Sequence, residues 1–355
     1  MRKYIYYMVS LLLPLLLAGC AVHQWPEQVL PEHVKIRLHF EPDMWLWEHL
    51  YDPKLGDVKE RYPDSGVDEG HPGTSDRYSN EQKSGLMKIS LRFYEKGNMA
   101  NCVAEYSVDR NAAEGYDCDV EVDLFEGNYE VVVWSHLLER NGSQPFYEPA
   151  DFRAIYLIEE NYRGSTDYRD GFRGRDSFSV FAGMNDVDEE EVPVCVCEVE
   201  MRRPMGKFEF VTTDLSEFLE RETERRALST RAGLDDYRVV ITYPYYYPNA
   251  YSAFSDDISS GSGYGFETRM TMTGESEASM GFDYVFIRNI SDGAVQAQVA
   301  VYDRAGVRVA NSLIIKVPIR RDYHTVLRGS FLSMGAQGGV GVIPDYDGDH
   351  NVTIP

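Results

Sequence analysis

Cysteine offers this sequence its most reactive side chain, and Cys20 is the one placed to use it. It follows Leu15, Leu16, Leu17, Ala18 and Gly19, behind a short basic start at Arg2 and Lys3 and an almost wholly apolar run from Tyr4 to Leu17. That run is about 14 residues, shorter than the roughly 20 a spanning helix needs, and its small residues suit a peptidase that works close to the backbone. The pattern reads as a secretory signal whose cysteine thiol accepts acyl chains. Residues 1–19 are then a signal peptide, Cys20 opens the mature chain, and 20–31 form a lipidated tether.

The remaining candidates for chemistry read as structural. Cys195 and Cys197 continue through Val199 and Met201 onto one face of a strand, and no second ligand pair follows them, so they read as small core hydrophobes. Cys102 and Cys118 flank a polar turn region, and the sequence leaves open whether they form a disulfide. NDVDEEE at 185–191 reads as a solvated loop, not a calcium site. Asp345, Asp347 and Asp349 alternate as in a calcium loop, but His350 stands where the glycine belongs and the twelfth position falls beyond Pro355, which excludes an EF-hand. The run Gly261, Gly263, Gly265 lacks the strand and helix of a phosphate cradle and reads as a flexible loop. No HExxH, G-x-S-x-G or P-loop is present, and the expectation is a protein without catalytic residues, metal or cofactor.

Composition narrows the partners. Removing Arg2 and Lys3 from 35 basic residues leaves 33 against 58 acidic ones, a formal charge of −25 for the mature chain. A body so acidic is repelled by phosphate, which speaks against nucleic acid and against anionic headgroups, and leaves the acyl anchor as the attachment to a membrane. Its length suggests two domains, and 25 tyrosines with 29 glycines lean toward strands and turns.

Period-two alternation supplies the elements. Val34, Ile36, Leu38 and Phe40 face one way and Lys35, Arg37 and His39 the other, a half-buried strand. After Trp45, Leu46 and Trp47 the pattern dissolves, and 52–82 reads as a long exposed loop. Alternation returns at 86–94, 103–108 and 118–125, and Leu124, Gly127 and Tyr129 have the spacing of a corner tied by a tyrosine. Further strands are predicted at 153–158, 177–182 and 192–201, and Arg202, Arg203 and Pro204 then mark a boundary between domains at 32–202 and 203–355. Past it come a strand at GKFEFVTT, a helix from Leu215 to about Ala227 with Asp214 and Glu217 as a capping box, and strands at 236–243, 265–272, 281–289, 295–303, 307–318 and 322–332. The expected fold is all-β, antiparallel sandwiches in tandem with one short helix in the second. Tyr243, Tyr245, Tyr246, Tyr247 and Tyr251, interleaved with Pro244 and Pro248, look too proline-broken for a central strand. Of these, Tyr245, Tyr246 and Tyr247 are candidates for stacking on sugar rings or filling a partner's groove, and the alternative is that the stretch packs as a loop against its own sandwich.

With the cysteine motif and two sandwich halves, the closing section from Pro318 to Pro355 and the stretch RRPMGKFEFVTTDLSEF resemble the fimbrillin and fimbrial-anchor lipoproteins of Bacteroidales, the type V pilus system. The resemblance implies two transthyretin-like antiparallel β-sandwich domains and a non-enzymatic outer-membrane lipoprotein at the cell surface or fimbrium. It also implies assembly with other fimbrial subunits by strand exchange, the physics of β-augmentation. The first strand, with Val34, Ile36, Leu38 and Phe40, is then the one whose release opens an acceptor groove. The terminal segment 339–355, with Val340, Val342, Val352 and Ile354, is the candidate donor. Pilins of the family lose their N-terminal segment after an arginine, for which Arg61 and Arg77 are the candidates here, whereas anchors keep it. The alternative is a surface glycan-binding lipoprotein whose tyrosine stretch meets a host glycan or protein.

Overall fold

The structure, a computed structural model, describes residues 30–60, 77–78, 85–139, 145–183, 195–226, 232–289 and 293–333. In chain order the strands are β1 (Glu32–Phe40), β2 (Met44–Asp52), β3 (Asp57–Glu60), β4 (Arg77–Tyr78), β5 (Gly85–Glu95), β6 (Asn98–Asn111), β7 (Cys118–Leu124), β8 (Gly127–Glu139), β9 (Tyr147–Glu148), β10 (Ile155–Leu157), β11 (Gly171–Val180) and β12 (Cys195–Met201). Then come β13 (Met205–Thr212), helix α1 (Leu215–Arg225), β14 (Tyr237–Ser252), β15 (Asp257–Thr268), β16 (Thr271–Met272), β17 (Ala278–Phe286), β18 (Gly293–Asp303), β19 (Arg308–Asn311), β20 (Ile315–Ile319) and β21 (Tyr323–Gly329). The chain is all-β with a single α-helix among the described residues, as its alternating pattern predicts.

A three-stranded sheet in the order β12-β1-β7 covers a four-stranded sheet, β11-β8-β5-β6. The alternate residues Val34, Ile36 and Leu38 are fully buried between them, in one core with Val120, Val122, Val199, Ile89, Leu91, Val131 and Val133. The corner before β8 is tied as its spacing predicts, for the Tyr129 hydroxyl donates to the Phe125 carbonyl at 2.9 Å.

The second core lies between a sheet ordered β16-β17-β13-β21-β2-β3, with β4 on β2, and a sheet ordered β19-β18-β14-β10-β9, with β15 on β14 and β20 on β18. Helix α1 buries Leu215, Phe218 and Leu219, the Phe218 ring 4.9 Å from that of Tyr237. It has no capping box. The Asp214 carboxylate instead accepts from the backbone N–H groups of Leu332 and Ser333 at 3.3 and 2.6 Å, anchoring the segment after β21. Among the described residues no helix is long and apolar enough to cross a membrane.

Several expectations are corrected. Residues 52–60 are not an open loop. Asp52 accepts from Lys54 N at 2.8 Å and its carbonyl from Gly56 N at 2.9 Å, and this Asx-type turn, with Gly56 at φ +68°, folds β3 back on β2. Strand β2 pairs in parallel with β21, so 44–60 belongs with the second sheet pair although it precedes most of the first; β9 and β10 join that pair too. Gly261, Gly263 and Gly265 lie in strand β15, paired with β14, not in a loop, and the Tyr246 ring fills the place where a Gly261 side chain would stand. Cys102 and Cys118, whose pairing the sequence leaves open, are free thiols on different sheets, one exposed and one buried.

Two buried ion pairs lock the halves together. Asp167–Arg169, a 3₁₀ turn before β11, sends the Arg169 guanidinium to Asp283 of β17, and both side chains are essentially inaccessible. The second guanidinium nitrogen donates to Tyr247 Oη at 2.6 Å and to the Tyr284 carbonyl at 3.1 Å. Asp283 Oδ2 also accepts from the Tyr243 and Tyr162 hydroxyls at 2.5 and 2.6 Å. Burial pushes the Tyr162, Tyr243 and Tyr284 phenols well above their ordinary range, which keeps their protons available as donors. Arg203, at the crossing from β12 to β13, grips Asp170 with two parallel bonds of 2.7 and 2.9 Å. It also reaches Asp322 at 3.1 Å and the carbonyl of Pro42, in the other crossing, at 2.9 Å.

Candidate functional site

Strand β1 sits in the middle of its sheet, antiparallel to β7 on one side and parallel to β12 on the other. From Val34 to Leu38 every residue has a register partner on both sides, and Phe40 is half-buried against Tyr116 and Phe172, the latter ring 5.3 Å away. Taking β1 out would leave two strand edges with unpaired backbone groups and a slot floored by the opposite sheet. Such a slot binds an extended chain through its backbone and reads alternate side chains in pockets.

The solvent face of the same strand is charged throughout. His33 lies 3.0 Å from Asp123 and 3.5 Å from Glu121, Lys35 lies 3.7 Å from Asp119, and Arg37 lies 3.2 Å from Asp119 and 3.3 Å from Glu198. His39 lies 3.4 Å from Asp117. The hydrogen bond with Asp123 does most to raise the His33 pKa above its ordinary value. These acidic partners are the functional side chains that sequence reasoning missed. Their alternation, as in Asp119, Glu121 and Asp123, was visible, but not that they flank β1.

The tyrosine stretch lies elsewhere and is split by the fold. Strand β14 is a central strand after all, since its ladder with β15 skips from Tyr243 to Tyr247 and Pro244 falls in the bulge, where it needs no partner. The bulge turns Tyr245 and Tyr246 outward, 59% and 51% exposed, while Tyr247 returns to the core at 0%. Tyr247 is therefore not a surface aromatic, and its hydroxyl donates to the Tyr284 carbonyl at 2.9 Å. Tyr247→Phe is expected to cost about 1–3 kcal/mol and Tyr245→Ala less than about 0.5, compared by urea unfolding; equal effects would contradict this division.

Of the other candidates, Arg77 lies in β4, its backbone paired with Trp45. Cys197, Val199 and Met201 are buried on one face, as expected. Cys20, Arg61, Val340, Val342, Val352, Ile354, the 185–191 acidic run and Asp345 to Asp349 lie outside the described residues. Among the described residues no group of three or more His, Cys, Asp or Glu side chains is arranged to hold a metal ion.

The sequence model of a family of unknown function, DUF6562, matches residues 67–355. No curated protein matches the sequence. Similar solved structures include a putative polysaccharide-binding protein of Bacteroides thetaiotaomicron, 10% identical over 79% of this chain and 80% of that one, with a TM-score of 0.41. A putative adhesin of the same organism is 13% identical over 80% and 81%, with a TM-score of 0.40. The fimbrial anchor protein Mfa2 of Porphyromonas gingivalis is 6% identical over 79% and 82%, with a TM-score of 0.37. Likenesses this weak do not bear on function.

Proposed function

The chain belongs to the DUF6562 family, a family of unknown function, and we propose that it is a lipid-anchored fimbrial subunit, anchor or stalk, that assembles by exchange of a β-strand. The observation that carries this reading is the position of β1, the first strand of the described residues, paired on both sides with Val34, Ile36 and Leu38 at zero exposure. A central strand placed there can leave or be replaced without rethreading the rest of the sheet. On this reading the signal and an acylated Cys20 tether the body to the outer membrane, with other fimbrial subunits as its partners.

Intact mass and N-terminal analysis of protein purified from its native membrane test this. A chain that begins at acylated Cys20 is an anchor with β1 in place. One that begins after Arg61 or Arg77 is a processed subunit that has lost β2 and β3 along with β1, so that the groove stands open and β21 becomes a sheet edge. An unacylated chain that keeps residues 21–60 would sink the lipid-anchor reading.

A second reading, a glycan-binding lipoprotein, rests on Tyr245 and Tyr246, both exposed on one bulge. Binding to an oligosaccharide panel that is lost in a Tyr245→Ala, Tyr246→Ala variant would favour it over the first.

A further inference from the structure

We infer that the groove under β1 is selective by charge and takes a partner subunit's strand that alternates apolar residues with basic ones, not the terminal segment of another copy of this chain. The inference rests on the strand-exchange reading and on the two walls of the groove. On β7 the outward residues are Asp119, Glu121 and Asp123, opposite Arg37, Lys35 and His33. On β12 they include Glu198 and Glu200, opposite Arg37 and His39. Neither wall has an outward basic residue to set against them, since β7 reads CDVEVDL and β12 reads CVCEVEM. With β1 gone, two acidic ladders face each other across an empty strand position.

Any occupant must satisfy both faces of that position. Its inward residues must fill the space of Val34, Ile36 and Leu38, and its outward ones must neutralise the walls, because like charges directly opposite in a sheet are destabilising. The segment 339–355 meets only the first condition. Placing Val340, Val342, Val352 and Ile354 inward turns Asp345, Asp347 and Asp349 outward, and its one basic side chain, His350, turns inward with the apolar set. Carboxylates would then meet carboxylates in either strand direction.

Competition during refolding tests this on the full-length chain, with a protease site inserted after Glu41 so that cleavage separates β1 alone. The cut protein is unfolded and refolded with an excess of labelled peptide, and capture is scored by native mass spectrometry against the chain's own N-terminal fragment. The peptides are a copy of residues 32–41, the same peptide with H33E, K35E, R37E and H39E, and a copy of residues 339–355. Capture of the first is expected to exceed that of the other two by on the order of a hundredfold at low salt, with the gap narrowing as salt is added. Equal capture of the native and charge-inverted peptides would overturn the selectivity and leave strand exchange standing. If the chain recaptures neither its own fragment nor any peptide, strand exchange itself fails and the selectivity with it.

Discussion

Asp283→Ala is expected to destabilise the protein by about 3–5 kcal/mol, because it strands a buried guanidinium. Arg169 is 1% exposed, its guanidinium lies 4.5 Å above the Tyr162 ring, and its remaining partners are the neutral Tyr247 hydroxyl and Tyr284 carbonyl. The Tyr162 and Tyr243 hydroxyls also lose their acceptor, and each buried donor left unmade adds to the loss. Removing both charges is the informative control. An Arg169→Met, Asp283→Leu double variant is expected to recover much of the loss, since the desolvation cost disappears with the pair. The location adds a second readout. Arg169 comes from the turn before β11 in the first sandwich and Asp283 from β17 in the second, so the wild type should unfold in one transition and Asp283→Ala in two. A loss under about 1 kcal/mol with a single transition would show that the halves are held by apolar packing instead.

Strand β1 was legible because a half-buried strand writes its two faces into the sequence, and the Tyr129 corner because its tie is local. The alternating acids of β7 were equally visible, but alternation does not say which strand lies beside which. Hence the charge match across β1, and the parallel pairing of β2 with β21, needed the fold. The tyrosine stretch misled for a different reason. Proline argues against a central strand only where the ladder needs its N–H, and the bulge between Tyr243 and Tyr247 removes that need at Pro244. The turn after Asp52 could have been read from Asp-Pro-Lys-Leu-Gly, had its turn chemistry been weighed above the loss of hydrophobic period. Arg169 and Asp283 left no trace, since lone charged residues 114 apart in sequence carry no pattern until the chain brings them together.

Acid should unfold this protein through its buried histidines before its carboxylates matter. His136 in β8 is 1% exposed, with the Tyr147 ring 5.9 Å away and Lys88 opposite it across the strand pair. Neither of its ring nitrogens has a hydrogen-bond partner among the described residues. Burial, helped by Lys88, holds its pKa down to about 4, so the folded state keeps the ring neutral where the unfolded chain takes up a proton near 6.5. Between those values the unfolded state binds more protons, and stability falls as pH drops from 6.5 toward 4, by about 3 kcal/mol in all. About 2 kcal/mol of that should be gone by pH 5. Burial also lowers the pKa values of His49 and His324, which add in the same direction, although Glu209, 3.0 Å from His324 Nε2, resists the shift there. Urea unfolding at pH 7.5 and pH 5.0 should therefore show a marked fall in the wild type and a fall smaller by about 2 kcal/mol in His136→Leu, which removes the proton site and leaves an apolar side chain in an apolar place. If the two proteins lose stability in parallel, the acid response lies in other groups and the buried imidazole is not its source.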